Sequence, residues 1–482
     1  MKPLKQKTYR DFSKGNYTGT QNNMAPANST RLNLNLDSDE ELGSLVSRLG
    51  TTDVHAQIIN NKPVLGLHNF RDTVGTGNKL FAVLSDGTNN DIYDALAGSK
   101  SLEDDTKDLK TRFLTYLDSC LRLNGTDQPK AYTGAAWIDT AGAFDLDNMP
   151  QTAKYALEFR DRIYVAGMAA DPDRVDISGI ANPTTRVVSW TVDNKFILFE
   201  QEDGGGGITG LAKVPGYILV FKKRTLKKYD GSSAYPEDMI NQGAPSQEAI
   251  VTANGMCFWV NENGSWVTTG GTPKKISDWT VDNVIKSCSE ANLLNVASGT
   301  DEEHVFWSFK SVTINGETHA NVVIKYNIFL NTWDIREYPT LQRVYTKYVD
   351  TTGTVFTAFG DDDGYVQKLA VGNTDNGTAI NYAMETQDLD FGQRMFKKKI
   401  SRFAVLTENV SKGTLMWRNT HSEKDWKPVG NGVINSDITE FKTSLEGNFF
   451  NFKITEAVST GRAKILGFEF PDEGVSVTEN VN

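Results

Sequence analysis

The chain has 482 residues, 39% of them apolar, which is enough for two or three domains with sizeable cores. Its net charge of −11 argues against a protein that grips nucleic acid, because such proteins carry a concentrated positive field. An acidic wall remains compatible with a conduit past which DNA slides, since it repels phosphate.

The three cysteines and the N-terminal residues indicate a chain made in a reducing cytosol. Cys120, Cys257 and Cys288 are odd in number and match no zinc-site spacing, so we expect buried, reduced thiols. Residues Met1–Gln6 are polar and lack the apolar stretch of a signal peptide. No window approaches the roughly 18 apolar residues of a membrane span, so we expect no membrane insertion.

Residues 1–60 predict an N-terminal arm with one or two strands. Arg31–Leu36 alternates apolar and polar side chains, which is typical of a half-buried strand. The next residues, Asp37–Glu41, are expected to form a solvated acidic run. The Arg31–Leu36 strand can add to a sheet edge, either that of the sandwich expected at the C-terminal end of its own chain or that of a neighbour.

Residues 61–375 predict an irregular β-propeller of about six blades. Short apolar runs alternate with turns that contain Gly or Asp, and the units recur every ~35–55 residues, close to the range of propeller blades. Four dipeptides are typical of hairpin turns; they are Asp230-Gly231, Asn254-Gly255, Asn315-Gly316 and Asp363-Gly364.

The segment from Asp108 to Leu123 is ambiguous by itself. Leu109, Phe113 and Leu117 lie at helical spacing and would form one face of an amphipathic helix. The neighbouring sequence repeats the blade pattern, and a turn-forming stretch follows at Asn124. We therefore predict two strands.

Residues 376–482 predict a C-terminal β-sandwich followed by a loose tail. The alternation is strict in several segments after the polar stretch 373–377. The clearest segments are Lys399–Leu406, Phe449–Ile454 and Ala463–Phe470. The fold class expected for the whole chain is thus all-β, with a propeller, a sandwich and an arm.

The order of these strands resembles that of a known family. It runs through Gly66–Phe70, Ala153–Ala166, Leu219–Gly231 and Gly243–Val251, and on to Gly447–Lys453. The resemblance is to the tail hub or nozzle proteins of podovirus-type bacteriophages, which include packaged-DNA stabilisation proteins and tail tubular proteins of the B type. It spans about residues 30 to 470 and depends on order and spacing, because each segment alone is only a strand and a turn.

The resemblance implies a structural protein of the virion tail. Members of that family form a ring, expected to be a homohexamer, below the portal and adaptor. The ring retains packaged DNA and conducts it during ejection. The implied partners are other copies of the chain, portal and adaptor proteins, other tail proteins such as fibres, and double-stranded DNA in transit without sequence recognition. Such a chain would be made in the cytoplasm of the bacterial host.

Two basic clusters are candidate contacts for DNA or a partner. The alternative interpretation places them at a hairpin tip and a strand entrance, solvated or paired with the acidic excess. The clusters comprise Lys222, Lys223, Arg224, Lys227 and Lys228, and Lys397, Lys398 and Lys399.

No constellation in the sequence indicates catalysis or a cofactor, and we expect neither an enzyme nor a bound metal. The glycine-rich stretch 202–210 lacks the lysine and hydroxyl of a P-loop, which favours a connection between blades. The acidic stretch Asp361–Gly364 fits a turn better than a calcium loop. The main alternative function is a carbohydrate-active or glycan-binding propeller, although the sialidase-type aspartate box is missing. A cytosolic interaction propeller is a further alternative.

Overall fold

The computed structural model describes residues 7–18, 25–73, 78–182, 184–185, 187–199, 206–350, 352–419, 425–458 and 461–480. Strands dominate these residues, as an all-β chain requires. The helical elements within them are a 3-10 turn at Gln247–Ala249 and two short helices, α1 (Asp282–Lys286) and α2 (Glu290–Leu293). No helix in the described part of the chain is long and apolar enough to cross a membrane.

Five strands come from the N-terminal segment and are shared between the two halves of the molecule. They are β1 (Lys7–Tyr9), β2 (Thr30–Leu34), β3 (Leu36–Asp37), β4 (Leu45–Ser47) and β5 (Thr51–Asp53).

The propeller consists of seven antiparallel four-stranded blades, of which blades 1 to 5 are separate sheets and blades 6 and 7 belong to one larger sheet. Blade 1 contains β6 (Val64–Phe70), β7 (Lys79–Ser85), β8 (Asn89–Asp94) and β9 (Ser99–Thr106), and blade 2 contains β10 (Arg112–Tyr116), β11 (Ser119–Leu123), β12 (Lys130–Tyr132) and β13 (Trp137–Ile138). Blade 3 contains β14 (Tyr155–Phe159), β15 (Arg162–Ala166), β16 (Arg174–Ile177) and β17 (Lys195–Leu198), and blade 4 contains β18 (Ile208–Val214), β19 (Tyr217–Lys222), β20 (Leu226–Tyr229) and β21 (Glu237–Ile240). Blade 5 contains β22 (Ile250–Ala253), β23 (Met256–Asn261), β24 (Gly264–Thr268) and β25 (Lys274–Lys275), and blade 6 contains β26 (Ala297–Thr300), β27 (His304–Ile314), β28 (Glu317–Asn327) and β29 (Thr332–Glu337). Blade 7 contains β30 (Gln342–Val349), β31 (Val355–Asp361) and β32 (Val366–Leu369), with β5 as its fourth strand.

The inner strands close a complete ring. Each blade begins with its inner strand, which contacts the inner strands of both neighbours, and β30 of blade 7 returns to β6 of blade 1. Blade 7 takes its outer strand from the N-terminal segment, because β5 pairs antiparallel with β32. The two ends of the propeller are thereby fastened in one sheet, which leaves no blade incomplete.

The blade count is seven, one more than the sequence indicated. Two features explain the difference. Some outer strands are too short to show any alternation, as in Trp137–Ile138 and Lys274–Lys275. Blade 7 also borrows β5 from outside the segment in which the units were counted, so only three of its strands follow in sequence.

Tight turns fix the register inside the blades. Asn254-Gly255 and Asn315-Gly316 occupy two-residue hairpin turns with positive φ at both positions, as predicted. The ambiguous segment from Asp108 to Leu123 forms β10 and β11, joined by Leu117 and Asp118, which also have positive φ. The prediction of two strands is confirmed there.

The remaining strands form a two-sheet sandwich. They are β33 (Thr374–Asp375), β34 (Thr378–Thr386), β35 (Phe396–Glu408), β36 (Gly413–Arg418), β37 (Lys427–Ile434), β38 (Asp437–Gly447), β39 (Asn451–Val458), β40 (Lys464–Phe470) and β41 (Val475–Asn480).

One sandwich sheet combines β35, β38, β40 and β41 with the N-terminal β1, β3 and β4. The other runs β2-β34-β39-β36-β37. Their inner faces enclose a core rich in aromatic side chains, among them Phe403, Phe452 and Phe468.

The N-terminal segment is therefore not a free arm. Strand β2 lies between β34 of the sandwich and β29 of blade 6, so one sheet continues from the propeller into the sandwich. The Arg31–Leu36 segment does add to a sheet edge, and the edge belongs to its own chain. The physical reason is burial: Leu32 and Leu34 belong to the core that blades 5 and 6 share with β2.

Candidate functional site: buried ion pairs between propeller and sandwich

A network of charged side chains lies buried where the N-terminal segment crosses blade 6. Asp334 and Arg336 alternate with apolar residues along β29, so both point to the same face of the sheet. Lys325 on β28 is the cross-strand partner of Asp334. Asp37 of β3 and Asp39 just beyond it reach this face from the N-terminal segment.

Lys325 is the centre of the network. Its ammonium lies 2.7 Å from Asp39, 3.2 Å from Asp37 and 3.3 Å from Asp334. Burial opposes the charge on Lys325, yet the surrounding carboxylates raise its pKa. A fully buried ammonium persists only with such compensation.

Arg336 and Asp37 form a second, directional pair. The guanidinium donates from Nη2 to both carboxylate oxygens at 2.9 Å and from Nε to Oδ1 at 3.1 Å. Although burial disfavours a charged Asp37, Arg336 and Lys325 hold the pKa of that carboxyl below its usual range. This geometry fixes the N-terminal segment on blade 6 in one register.

Three carboxylates close enough to share a cation suggest a metal site at first sight. Oxygens of Asp37, Asp39 and Asp334 lie within 4.8 Å of one another, which makes them the candidate metal cluster among the described residues. The ammonium of Lys325, however, already lies between them and supplies the compensating charge. The cluster is accordingly an internal ion-pair network.

His304 connects this network to the surface. Its Nδ1 lies 2.9 Å from Asp301 and its Nε2 lies 2.9 Å from Asp39. Burial disfavours the imidazolium, but the hydrogen bonds to Asp301 and Asp39 outweigh it and raise the pKa of His304. A cavity of about 560 Å³ opens beside His304 and is bordered by Lys325 and Arg336.

Asp334 is the acid of this network that gains a proton most readily. Burial raises its pKa to about 6, against the attraction of Lys325 and with support from the neighbouring Asp37 and Asp39. Asp334 therefore changes charge in the weakly acidic range, and the raised pKa of His304 keeps its imidazole protonated to a higher pH than usual. The charge of the network can thus change with pH. The network itself acts structurally, because its ion pairs hold the propeller and the sandwich together.

Sequence reasoning missed this network. The run Asp37–Glu41 was expected to be solvated, but Asp37 is fully buried and the Asp39 side chain is 2% exposed. The expectation fails at Asp37 and Asp39 because Lys325 and Arg336 compensate these two carboxylates, whereas Glu40 and Glu41 are exposed as predicted. The available signal was a charged residue inside an otherwise apolar strand, as in Val322–Tyr326, which implies a buried partner.

The first predicted basic cluster surrounds the β19–β20 turn of blade 4. Lys222 is buried and pairs with Asp173 at 2.6 Å, and Lys223 pairs with Glu290. Lys227 and Lys228 lie on β20 and pair with acidic residues of β21, Asp238 at 3.0 Å and Glu237 at 3.1 Å. Arg224 is exposed at the turn.

The second predicted cluster begins β35 of the sandwich. Lys397 pairs with Glu446 at 3.1 Å. Lys398 is fully buried and donates to the carbonyls of Gln393 at 2.7 Å and Phe396 at 2.9 Å. Lys399 is half-buried. Blade 4 and the sandwich carry the two clusters separately, and most of their members pair with acidic or carbonyl oxygens. Their contact with DNA or a partner stays a prediction.

The other stretches singled out in the sequence occupy structural positions. Asp361 caps the turn between β31 and β32, where it accepts hydrogen bonds from the backbone N–H groups of Asp363 and Tyr365. The described end of the glycine-rich stretch leads into β18, whereas residues 201–205 and His421 lie outside the described residues. Cys120 and Cys257 are buried, and Cys288 is half-buried; none of these three forms a disulfide.

An exposed apolar edge lies on blade 3. Strand β17 is the last strand of its sheet in the described structure. It presents Phe196 and Leu198, of which Phe196 is 55% exposed, and the adjoining segment adds Ile180 and Val192. We call these four residues the blade-3 edge. An exposed apolar edge strand is a site where another chain adds readily.

Comparison with known proteins shows no sequence relative. No family model matches the chain, and no curated protein matches it.

Among solved structures, the extracellular domain of BT4673 from B. thetaiotaomicron is 11% identical, covers 94% of this chain and 62% of that chain, and has a TM-score of 0.45. YCF48 from Cyanidioschyzon merolae is 9% identical, covers 64% of this chain and 96% of that chain, and has a TM-score of 0.39. The CNH domain of AfRom2 is 10% identical, covers 66% of this chain and 99% of that chain, and has a TM-score of 0.41. The assignment of the fold as a propeller with a sandwich follows from the sheet topology of the chain itself.

Proposed function

We propose that this chain is a structural subunit of the tail of a short-tailed bacteriophage, a hub or nozzle protein. Six copies would form a ring below the portal and adaptor that retains packaged DNA and conducts it during ejection. Such a subunit belongs to the virion tail and is made in the cytoplasm of the bacterial host. It performs no catalysis, binds no cofactor, and meets fibres and other tail proteins at its outer surfaces.

The observation that carries the proposal is the placement of two unlike apolar surfaces. The blade-3 edge lies three blades away from both blade 6 and blade 7, in either direction around the propeller. Blades 6 and 7 are the ones joined to the sandwich. At the β37–β38 turn the sandwich exposes Val433 and Ile438. The sandwich that carries the second surface is therefore joined to the propeller at the blades farthest from the blade-3 edge.

A closed ring requires two different patches on each copy. In a cyclic ring, each copy offers one patch to the copy ahead and a different patch to the copy behind. The shared sheet and the buried ion pairs hold the sandwich against the propeller. A fixed angle between the two patches allows the rotation from copy to copy to close.

The ring is tested by opposing single substitutions. Phe196→Glu and Ile438→Glu each place a charge in one patch and should each prevent ring formation by the purified chain, measured by analytical ultracentrifugation and electron microscopy. An equimolar mixture should form heterodimers, because each variant keeps the patch that the other has lost. Ser99→Glu, an exposed position on the outer strand of blade 1, is the matched control and should assemble normally.

The virion role is tested on particles. Gold-labelled antibody against this chain should mark a ring at the tail vertex of purified phage, and particles lacking the chain should lose DNA. Full assembly by both single variants would contradict the proposed interface. Absence of the chain from purified particles would contradict the proposed function.

A further inference from the structure

The central cavity of the propeller collects positive charge. It has a volume of about 300 Å³ and is lined by the inner strands of six of the seven blades, chiefly where each strand begins. Its lining includes Arg112 at the start of β10, Tyr155 at the start of β14 and Glu248 just before β22. Because every blade begins with its inner strand, these residues meet at one end of the propeller axis.

Three cations face one carboxylate at this end. The guanidinium of Arg112 lies 2.5 Å from Glu248, and the ammonium of Lys110 lies 3.4 Å from it. Lys154, just before β14, lies over the Tyr155 ring at 5.8 Å, and Arg112 lies over the same ring at 4.9 Å. Within the described residues, Glu248 is the one carboxylate in ion-pair contact with this group, which leaves two positive charges uncompensated.

Arg112 also has unused donors. Its Nε and Nη1 atoms are buried and have no hydrogen-bond partner within the described structure. An unpaired buried donor on a charged group is costly and usually marks a missing partner. The side chain is 14% exposed, so an ion that enters the cavity can reach it.

The pKa values of the two lysines depend on burial and on the same neighbouring charges. Burial lowers the pKa of Lys110 and of Lys154, and the charge of Arg112 lowers both further, whereas Glu248 acts in the opposite direction. Burial opposes charge on Glu248, yet Arg112 and Lys110 lower its pKa to about 2. Glu248 is therefore ionised at neutral pH and cannot by itself neutralise the cluster.

The remaining lining suits a compact polar ligand. Ser298, Thr346 and Gln247 border the cavity with polar side chains, and Tyr345 adds an aromatic wall. The Ser298 hydroxyl already donates to the carbonyls of Glu248 and Ile250, and the Gln247 amide pairs with the backbone of Leu211. Arg343, which influences Lys110, is already paired with Asp362. The volume is at the lower limit for ligand pockets, which excludes large organic molecules and nucleic-acid duplexes.

We propose that the central cavity binds a small phosphate-class oxyanion, held by Arg112, Lys110 and Lys154. A hydrogen phosphate dianion would compensate the two unpaired positive charges and accept hydrogen bonds from the exposed part of the Arg112 guanidinium and from the two ammonium groups. Free inorganic phosphate and a small phosphate monoester share this chemistry.

The test is calorimetry and thermal unfolding of the full chain in phosphate-free buffer at constant ionic strength. Inorganic phosphate and glycerol phosphate are titrated separately to tell the free ion from an ester, with chloride as the reference. Saturable one-site binding and a Tm that rises with the logarithm of phosphate concentration are expected. Lys154→Met should weaken phosphate binding by roughly tenfold to a hundredfold.

The Glu248→Gln substitution should change the phosphate affinity in the opposite direction to Lys154→Met. Removing the competing carboxylate should tighten phosphate binding, a result that general damage to the fold would not produce. Lys213→Met removes an exposed lysine that pairs with Glu158 and should leave the affinity unchanged. Failure of both phosphate probes to bind the wild-type chain, or equal binding by Lys154→Met, would overturn the proposal. None of these outcomes depends on ring formation, so the proposed tail function is tested separately.

Discussion

Arg48 makes every hydrogen bond that its guanidinium can donate. It forms a bidentate pair with Asp375, at 2.8 and 2.6 Å, and donates to Asn35 and to the carbonyls of Leu49 and Glu337. The ring of Tyr338 lies 4.0 Å from its centre. The N-terminal segment, blade 6 and the start of the sandwich thus converge on one buried side chain.

Removing this side chain should therefore be severe. Arg48→Ala leaves the buried Asp375 carboxylate without its partner, and we expect a loss of about 3–5 kcal/mol in the free energy of unfolding. Urea denaturation measures this loss. The control is Arg402→Ala, which breaks an exposed pair with Glu440 and should cost no more than about 1 kcal/mol. Equal effects of the two substitutions would show that Arg48 does not hold the domains together.

Asp334 gives the buried network a predictable pH dependence. Its pKa of about 6 in the folded chain lies above the ordinary value near 3.9, so the folded state binds the proton more tightly. This group therefore contributes stability that is fully present below about pH 4 and is lost as the pH rises through about 6.

Asp334→Asn imitates the protonated acid and removes that dependence. The stability of the wild type minus that of the variant should fall by on the order of 2 kcal/mol between pH 4 and pH 7. Thermal unfolding at half-unit pH intervals measures the difference. A difference that is constant across this range would mean that Asp334 does not titrate as described.

Among the elements, β5 has an effect far larger than its three residues suggest. It completes blade 7 and lies beside the hairpin that starts the sandwich. Gly50 precedes it and contacts that hairpin so closely that a Cβ atom would lie 1.9 Å from the carbonyl oxygen of Thr374. Backbone hydrogen bonds join Gly50 to Val371 and Gly372 at 3.0 and 2.9 Å.

A single methyl group at Gly50 should consequently separate β5 from blade 7. We expect Gly50→Ala to lower the free energy of unfolding by more than about 2 kcal/mol and to increase proteolysis of the N-terminal segment. Gly271→Ala is the matched control, because nothing lies within 4 Å of a Cβ at that position, and it should change stability by less than about 0.5 kcal/mol. If Gly50→Ala left the free energy of unfolding unchanged, the close contact between Gly50 and the hairpin would be refuted.

The local elements were readable from the sequence, whereas their long-range pairing was not. Alternation and turn dipeptides predicted strands such as β7 and hairpins such as Asn254-Gly255, because these depend on neighbours in sequence. The pairing of β5 with β32 joins residues more than 300 positions apart, and no local pattern encodes it. The same holds for the network, in which Asp37 meets Arg336 across the domain junction.

At the scale of the whole molecule, the acidic excess is distributed so that it masks most of the predicted basic surface. Lys227 and Lys228 pair with Asp238 and Glu237, and Lys397 pairs with Glu446. Lys222 and Lys398 are buried. Few cations in these two clusters remain available for a phosphate backbone, which is consistent with the proposed function as a conduit for DNA.

Weak DNA binding is therefore expected of the native chain. Each phosphate contact by a free cation adds affinity that falls with salt, so a conduit needs few such contacts. Fluorescence anisotropy with a labelled duplex at physiological salt should detect no binding in the low micromolar range.

The double substitution Glu237→Gln and Asp238→Asn releases Lys227 and Lys228 and should raise the affinity for DNA with a steeper salt dependence. The same double neutralisation at Glu440 and Asp437 on the sandwich is the control for net charge and should have a smaller effect, since Arg402 is the single cation that pairs with Glu440 in the described structure. Tight, strongly salt-dependent binding by the wild-type chain would show that its cations are not masked and would contradict the proposed function as a DNA conduit.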